Sequence, residues 1–397
     1  MVRLPPALRP LFPYLKPAWV RATQVAAPVL QRVSTRRGGW LPTGSVATVE
    51  DAAATTGGRC VTVRPPEHVA RIGLAGDPAG LPLSDRSDGD HFERVAVAEL
   101  PRGRVLGPHR VVVSGRGDLV WDVSWYFGTT RPRQHPVFLN PFPAPPLEVD
   151  GRLAVLASRG DANYYHFLFD VLARVGVLEQ APGIAAPDRW YAPAATSFQR
   201  ELLAMMGIGA DQLVDATRHP HVRAATLVVP TQPDMTEKNP PWVVQFLRER
   251  LLPQVPVGAP TRRIYVTRGA SANNRAVLDE DVLMAHLAAR GFEMVDPGSL
   301  PVSEQIRAFA EASVIVAPHG AALANLTFAS PGAAVVELFP AGCLLPDFWR
   351  LACGVPGLRY RYLSAPGGPR RPTRQKAIVR DIEVDLVALD RLLDDLA

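Results

Sequence analysis

The stretch Ser313-Val314-Ile315-Val316-Ala317-Pro318-His319-Gly320-Ala321-Ala322-Leu323-Ala324-Asn325 runs from an apolar, β-prone segment through a small-residue turn into a second apolar segment of helical length. A buried strand that feeds a glycine turn and then a helix is the repeating unit of a parallel sheet. The same alternation extends outward on both sides. Upstream, Arg263–Thr267 reads as a strand, Glu280–Arg290 as a helix capped by Asp279 and ended by Gly291, Phe292–Val295 as a strand and Val302–Glu311 as a helix. Downstream, Ala321–Ala329 is expected to be a helix, Ala334–Phe339 a strand, Cys343–Ala352 a helix and Arg359–Leu363 a strand. Parallel neighbours require crossover connections, so this order predicts a Rossmann-like α/β domain over Arg262–Leu363.

Residues 151–256 repeat the pattern less cleanly, with strands expected near Leu153–Ala157, Trp190–Ala192 and Thr226–Val229. Helices are expected near Tyr164–Glu179, Ser197–Met206 and Trp242–Leu251, followed by a Pro-rich linker over 253–260. Residues 46–150, rich in Val, Gly and Pro, read as short strands and loops. The tail 381–397 reads as a helix with apolar Ile382, Leu386, Leu389, Leu392 and Leu393. The expected divisions are a basic arm (1–45), an N-terminal domain (46–256), the Rossmann-like domain (257–365) and a C-terminal basic segment with a helix (366–397).

The chain has 397 residues and a formal net charge of +5, but residues 1–60 hold eight Lys or Arg against two acids, which leaves the remainder near −1. Basic and apolar residues interleaved between Arg3 and Arg37 suit either a loose basic arm or a contact with an anionic membrane surface. No nucleic-acid-binding motif accompanies the charge. Lys16, Lys238 and Lys376 are the only lysines among 43 basic residues, an arginine bias that fits a GC-rich bacterial genome. Cys60, Cys343 and Cys353 are isolated thiols without metal-type spacing, which fits a reducing cytosol. Prolines interrupt the N-terminal apolar residues, so no signal peptide is expected, and turn residues break the apolar run 312–336.

Four groups of residues could carry chemistry. The turn at His319-Gly320 lies past a strand end, where backbone N–H groups and a helix N-terminus favour a diphosphate. Glu337 is an acid alone in the apolar strand Val335-Val336-Glu337-Leu338-Phe339, placed to accept ribose hydroxyls. Arg268 and Arg275 follow the first strand of the same domain, and guanidinium forks suit phosphate oxygens. In Asn163-Tyr164-Tyr165-His166-Phe167-Leu168-Phe169-Asp170, an Asn cap opens a helix that puts His166 and Asp170 four apart on one face, with Arg174 a turn later. A His and a carboxylate so placed can supply a general base to an acceptor hydroxyl. Asp88-Gly89-Asp90 and His219-Pro220-His221 lack the context of metal ligands, so no metal-binding residue is assigned. The G-x-G-x-x-G turn of a dinucleotide-dependent oxidoreductase is absent from both candidate βαβ starts.

On two of these blocks the chain resembles glycosyltransferase family 61, which includes bacterial capsular polysaccharide biosynthesis proteins, over roughly Leu153 to Pro340. The first is Asn163 to Arg174, with Phe167 and Ala173 where the family usually has Trp and Pro; the second is Pro318 to Asn325 with Phe328, Pro331-Gly332 and Glu337 to Pro340, with Ala322 where Gly is usual. The resemblance implies a GT-B-like α/β architecture, two Rossmann-like domains facing a cleft, and an inverting transfer from a nucleotide-sugar donor to a glycan or lipid-linked acceptor in bacterial surface polysaccharide synthesis. His166 or Asp170 is then the catalytic base, and Arg268, Arg275, His319, Gly320, Asn325 and Glu337 bind the donor. No cofactor is required by this arrangement, and divalent-metal dependence stays open. The expected location is the cytoplasm, at the inner face of the membrane. A non-catalytic nucleotide-sugar or glycan-binding assembly protein is the alternative expectation.

Overall fold

The computed structural model describes residues 12–70, 89–269, 276–365 and 380–396. The chain forms two compact α/β units, an N-terminal one from Tyr14–Glu67 and Phe92–Met235 and a C-terminal one built mainly from Thr236–Ala397.

The C-terminal unit follows the expected alternation closely. Strands β11 (Arg262–Val266), β12 (Phe292–Val295), β13 (Ala312–Pro318), β14 (Ala334–Phe339) and β15 (Arg359–Ser364) form a five-stranded sheet in the order β12-β11-β13-β14-β15, numbered after the ten strands of the N-terminal unit given below. Every pair is parallel, a doubly wound order. The chain turns outward from β11 to β12 and then returns to β13 on the other side, so a crevice opens past the ends of β11 and β13. Gly291 takes φ +79°, the left-handed cap that ends the helix Glu280–Ala289. Asp279 occupies the cap position of that helix without a side-chain cap bond; Glu280 instead accepts from Tyr265 Oη and Thr267 Oγ1, both at 2.7 Å. The tail helix Leu386–Leu396 buries Leu389, Leu393 and Leu396 in one cluster with Tyr265, Val316 and Val336, so it completes this core.

Two elements differ from expectation here. The segment after Gly320 is a 3₁₀ helix over Ala321–Phe328, closed by i→i+3 bonds such as Leu323 N to Gly320 O at 3.0 Å. Asn325 explains part of this tight winding: it is completely buried and donates to Gln305 Oε1 at 3.1 Å, tying the 3₁₀ segment to the helix Val302–Ala310. Helix Pro241–Leu251, expected to precede the interdomain linker, belongs to the C-terminal unit. Its Arg248 donates to the carbonyls of Thr327 and Ala329 and closes the far end of the 3₁₀ segment.

The N-terminal unit is built on a ten-stranded mixed sheet, not a second purely parallel one. Its strands are β1 (Gly44–Val46), β2 (Arg59–Arg64), β3 (Val95–Pro101), β4 (Arg104–Leu106), β5 (Val111–Val113), β6 (Asp118–Val120), β7 (Leu147–Val155), β8 (Arg189–Ala192), β9 (Leu213–Asp215) and β10 (His221–Pro230). The path is β1-β6-β5-β4-β10-β7-β8-β9, with β3 joined to β10 and β2 to β3. Strands β10, β7, β8 and β9 are mutually parallel, as the helix-separated pattern after residue 150 requires. The short Val-rich strands before it add antiparallel pairs to the same sheet.

The region read as a loose basic arm is helical over Phe12–Arg36, preceded by residues 1–11, which lie outside the described residues. Ala27 of this helix is buried with Leu106, Val111, Val137 and Phe138 of the N-terminal unit, which supplies the tertiary packing a long helix needs. No helix among the described residues is long and apolar enough to cross a membrane.

Candidate active site

At the crevice of the C-terminal unit, β13 ends in Pro318 and delivers His319, while β11 ends in Val266 and delivers Thr267 and Arg268. Arg268 Nη1 donates to the carbonyl of His319 at 2.6 Å, so the two strand ends are joined at the mouth of the sheet. Gly320 permits this approach, because a Cβ at that position would stand 2.5 Å from Arg268 Nη1. The His319 ring stacks on Phe339 with centroids 5.1 Å apart and meets Phe348 edge-on at 5.4 Å. Its Nδ1 is 2.5 Å from Glu337 Oε1.

Glu337 has no exposed surface, and its second oxygen accepts from Tyr360 Oη at 2.5 Å. Burial, together with the Glu337 charge, holds the Tyr360 phenol well above its ordinary value, so this hydroxyl remains a donor. The cost of a buried acid is thus offset by two short hydrogen bonds. Glu337, expected to meet ribose hydroxyls directly, is corrected to a group that holds His319. Asn325 is likewise corrected: expected to contact the donor, it is locked in the core against Gln305. Arg275 lies outside the described residues. The structure therefore brings Arg268, His319, Gly320 and Glu337 together.

The N-terminal unit holds a second His–carboxylate pair. Asn163 caps the segment as expected, accepting from Tyr165 N at 2.9 Å, and His166 Nδ1 is 2.9 Å from Asp170 Oδ2. The helix between them is not regular: Tyr164–His166 is α, Phe167–Leu172 is a π turn and Ala173–Glu179 is α. Such π insertions recur at functional sites because they re-aim side chains. Arg174 does not continue the stripe. It is buried and donates to the carbonyls of Val155 and Ala157, with desolvation lowering its pKa to about 10. Gly160 passes against the His166 ring, where a Cβ would lie 2.8 Å from Cγ, so only glycine fits without moving the imidazole.

Other residues beside His166 were not anticipated. Phe127 lies 5.4 Å from the His166 ring, and Arg159 stands over both Phe127 and Trp125, at 4.5 and 4.1 Å. Tyr126 meets His109 at 4.6 Å and His135 at 5.7 Å. The sequence signal is the run Trp125-Tyr126-Phe127, three consecutive aromatics in a region read only as strands and loops.

Burial, assisted by the charge of Arg110, lowers the His109 pKa to about 4, and burial lowers that of His135 to about 3. Both values lie below the ~6.5 of an unfolded chain. The unfolded state therefore takes up protons first, and the stability contributed by these neutral rings is complete above ~6.5 and declines as the pH falls toward 4. Melting temperature is expected to fall between pH 7.5 and 5, and His109→Phe to fall less. Equal slopes for the two proteins would assign the acid sensitivity elsewhere.

Among the described residues no group of three or more His, Cys, Asp or Glu side chains is placed to hold a metal ion. Asp90, from the D-x-D spacing considered above, pairs with Arg350 Nε at 3.0 Å, both side chains buried.

Comparison with known proteins converges on the same segment. Residues 164–336 match the family model of glycosyltransferase 61. The chain is 32% identical over 127 residues to protein O-linked-mannose beta-1,4-N-acetylglucosaminyltransferase 2 of Mus musculus, a match covering 30% of this chain and 21% of that protein. It is 30% identical over 121 residues to the EGF domain-specific O-linked N-acetylglucosamine transferase of Drosophila melanogaster, covering 30% of this chain and 22% of that one. The matches thus span about a fifth of the length of these relatives. The matched segment, which contains His166, Asp170, Arg268 and His319, is thus similar to glycosyltransferase 61.

Proposed function

We propose that this chain is an inverting glycosyltransferase with a GT-B-like division of labour, the C-terminal unit holding a nucleotide-sugar donor and the N-terminal unit activating a glycan or lipid-linked acceptor. The observation that carries this reading is the pair of His–carboxylate dyads, both engaged through Nδ1, in the two blocks that resemble the family. A carboxylate on Nδ1 fixes the ring and its tautomer and makes Nε2 the reacting nitrogen. His166 would take the proton from the acceptor hydroxyl. The acceptor oxygen then bonds to the anomeric carbon, while the bond to the diphosphate breaks and its electron pair leaves with the nucleoside diphosphate. Arg268, His319 donating from Nε2 as an imidazolium paired with Glu337, and the N–H groups after Gly320 meet that charge, and Glu337 with Tyr360 keeps His319 in place. Arg275 follows Arg268 in the chain and is assigned to the same phosphates.

A thermal-shift screen against nucleotide sugars tests the donor half. One nucleotide sugar is expected to raise the melting temperature of the wild type by several degrees at a hundredfold excess over Kd, about 2.7 kcal/mol of linkage, and to lose most of that effect with Arg268→Ala. If no nucleotide or nucleotide sugar shifts the protein, the reading fails. Donor binding without turnover on any acceptor would instead support a non-catalytic assembly protein.

We also assign the chain to the cytoplasmic face of a bacterial membrane, in surface polysaccharide synthesis. Arg21, Val25, Val29, Arg32 and Arg36 are all exposed on helix Phe12–Arg36, at spacings that form one stripe, with Val25 78% exposed. A basic stripe with apolar residues suits anionic headgroups at about 1 kcal/mol per basic residue. Arg21→Gln with Arg32→Gln should weaken binding to phosphatidylserine vesicles by about 2 kcal/mol, ~30-fold. Equal partition of variant and wild type would remove the membrane assignment.

A further inference from the structure

The N-terminal unit carries a ring cluster and a cavity that the proposed chemistry does not use. Trp125, Tyr126 and Phe127 are each half-buried, and their order in space is defined: Phe127 touches the His166 ring, Tyr126 lies 5.9 Å from Phe127, and His109 lies 4.6 Å from Tyr126. Arg159 fixes this run, donating to the Trp125 carbonyl at 3.2 Å and to the Met235 carbonyl at 3.1 Å. His109 in turn forms part of the wall of a cavity of about 310 Å³, together with Leu106, Pro108, Val137 and Leu139. That volume is at the lower end of the range for small-molecule sites. A continuous path of rings therefore leads from the imidazole of His166 into an apolar chamber.

Half-exposed aromatic rings present flat apolar faces with polar edges, which suits the C–H faces and equatorial hydroxyls of a sugar ring. The chamber beyond them offers mostly aliphatic and proline surface, which is a poor match for a further sugar and a good one for a hydrocarbon. The wall residues Leu106 and Val137 also share their core cluster with Ala27 of helix Phe12–Arg36, whose opposite face carries the exposed basic and apolar stripe. The chamber thus adjoins the element best suited to rest on a membrane.

Resting on the transferase reading above, we propose that the acceptor is a glycoside with an apolar aglycone, its sugar seated on Phe127 and Tyr126 beside His166 and its aglycone in the chamber lined by Leu106, Val137 and Leu139. Acceptor choice is then set by the aglycone as well as by the sugar. Trp125, Tyr126 and Phe127 act as positioning residues for the acceptor, since the proton transfer itself belongs to His166.

The probe is n-octyl β-D-glucopyranoside below its micelle concentration, with methyl β-D-glucopyranoside as the chainless control, followed by ligand-observed NMR on the full chain. The octyl compound is expected to bind saturably and the methyl compound at least tenfold more weakly. Leu139→Arg places a charge in the chamber and should weaken octyl binding tenfold or more. Pro108→Arg, at the exposed rim where folding is not at stake, should weaken it in the same direction. Octyl binding unchanged in both variants, or no preference for the octyl over the methyl compound, overturns the assignment. Nucleotide-sugar binding by the same preparations keeps the two ideas apart: it should persist in both variants, and its absence from the wild type would overturn the transferase reading on which the acceptor assignment rests.

Discussion

Replacing His166 by Ala is expected to lower turnover about 10²-fold or more, the scale for losing a general base, with donor affinity nearly unchanged. The geometry makes this a sharp test. His166 is held on three sides, by Asp170 on Nδ1, by the backbone of Gly160 and by the rings of Phe127 and Tyr165, so little energy is spent orienting it at the moment of reaction. Asp170→Asn keeps the size of the partner and removes its charge, so it should cost turnover in the same direction while preserving the fold. A structural role would give the opposite result: both variants would melt earlier, and activity per folded molecule would be nearly intact. Turnover, donor binding and melting temperature measured on the same preparations separate the two. Wild-type turnover in His166→Ala would move the base elsewhere on the N-terminal unit.

What could be read from the sequence was mostly local. The spacing of His166 and Asp170 and the cap at Asn163 lie within a few residues, and local geometry fixed them even though a π turn intervenes. An all-apolar run such as Phe167-Leu168-Phe169 fits α and π winding equally well, so the insertion itself left no mark. The parallel C-terminal sheet was legible because strands and helices alternate with clear glycine and proline breaks. Its neighbour was not, because short strands such as Val111–Val113 look alike whether they pair antiparallel with the large sheet or stand apart.

Side chains whose role depends on a distant partner were misread for a physical reason. Glu337 was recognisable as an acid in an apolar strand, but only the pairing of β14 with β15 brings Tyr360 to its second oxygen. Asn325 follows His319-Gly320 by a few residues and could face either a ligand or the core; the partner that decides it, Gln305, lies 20 residues away on another helix. The run Trp125-Tyr126-Phe127 gains meaning only from the contact of Phe127 with His166, some 40 residues later in the chain.

On the donor side, His319→Ala should lower kcat by about 10²- to 10³-fold, as for removal of one preorganised donor to a developing negative charge, and should change the donor Kd far less. The imbalance between kcat and Kd follows from where charge grows: the bond to the diphosphate breaks in the transition state, so a group aimed at it is worth more there than in the ground state. Glu337→Gln isolates the role of the carboxylate. The amide oxygen can still accept from His319 Nδ1 and the amide nitrogen can donate to Tyr360 Oη, so packing survives while the compensating charge is lost. A loss in kcat smaller than that of His319→Ala, with nearly normal melting, is the expected result. Tyr360→Phe inverts this pattern, because it removes a hydrogen bond to a fully buried carboxylate at a cost of about 1–3 kcal/mol of stability. Its effect should appear in the melting temperature first and in kcat second. If His319→Ala kept its kcat, or if Glu337→Gln and Tyr360→Phe gave the same profile, the dyad would be a piece of core structure and the leaving group would have to be met by Arg268 and the backbone after Gly320 without it.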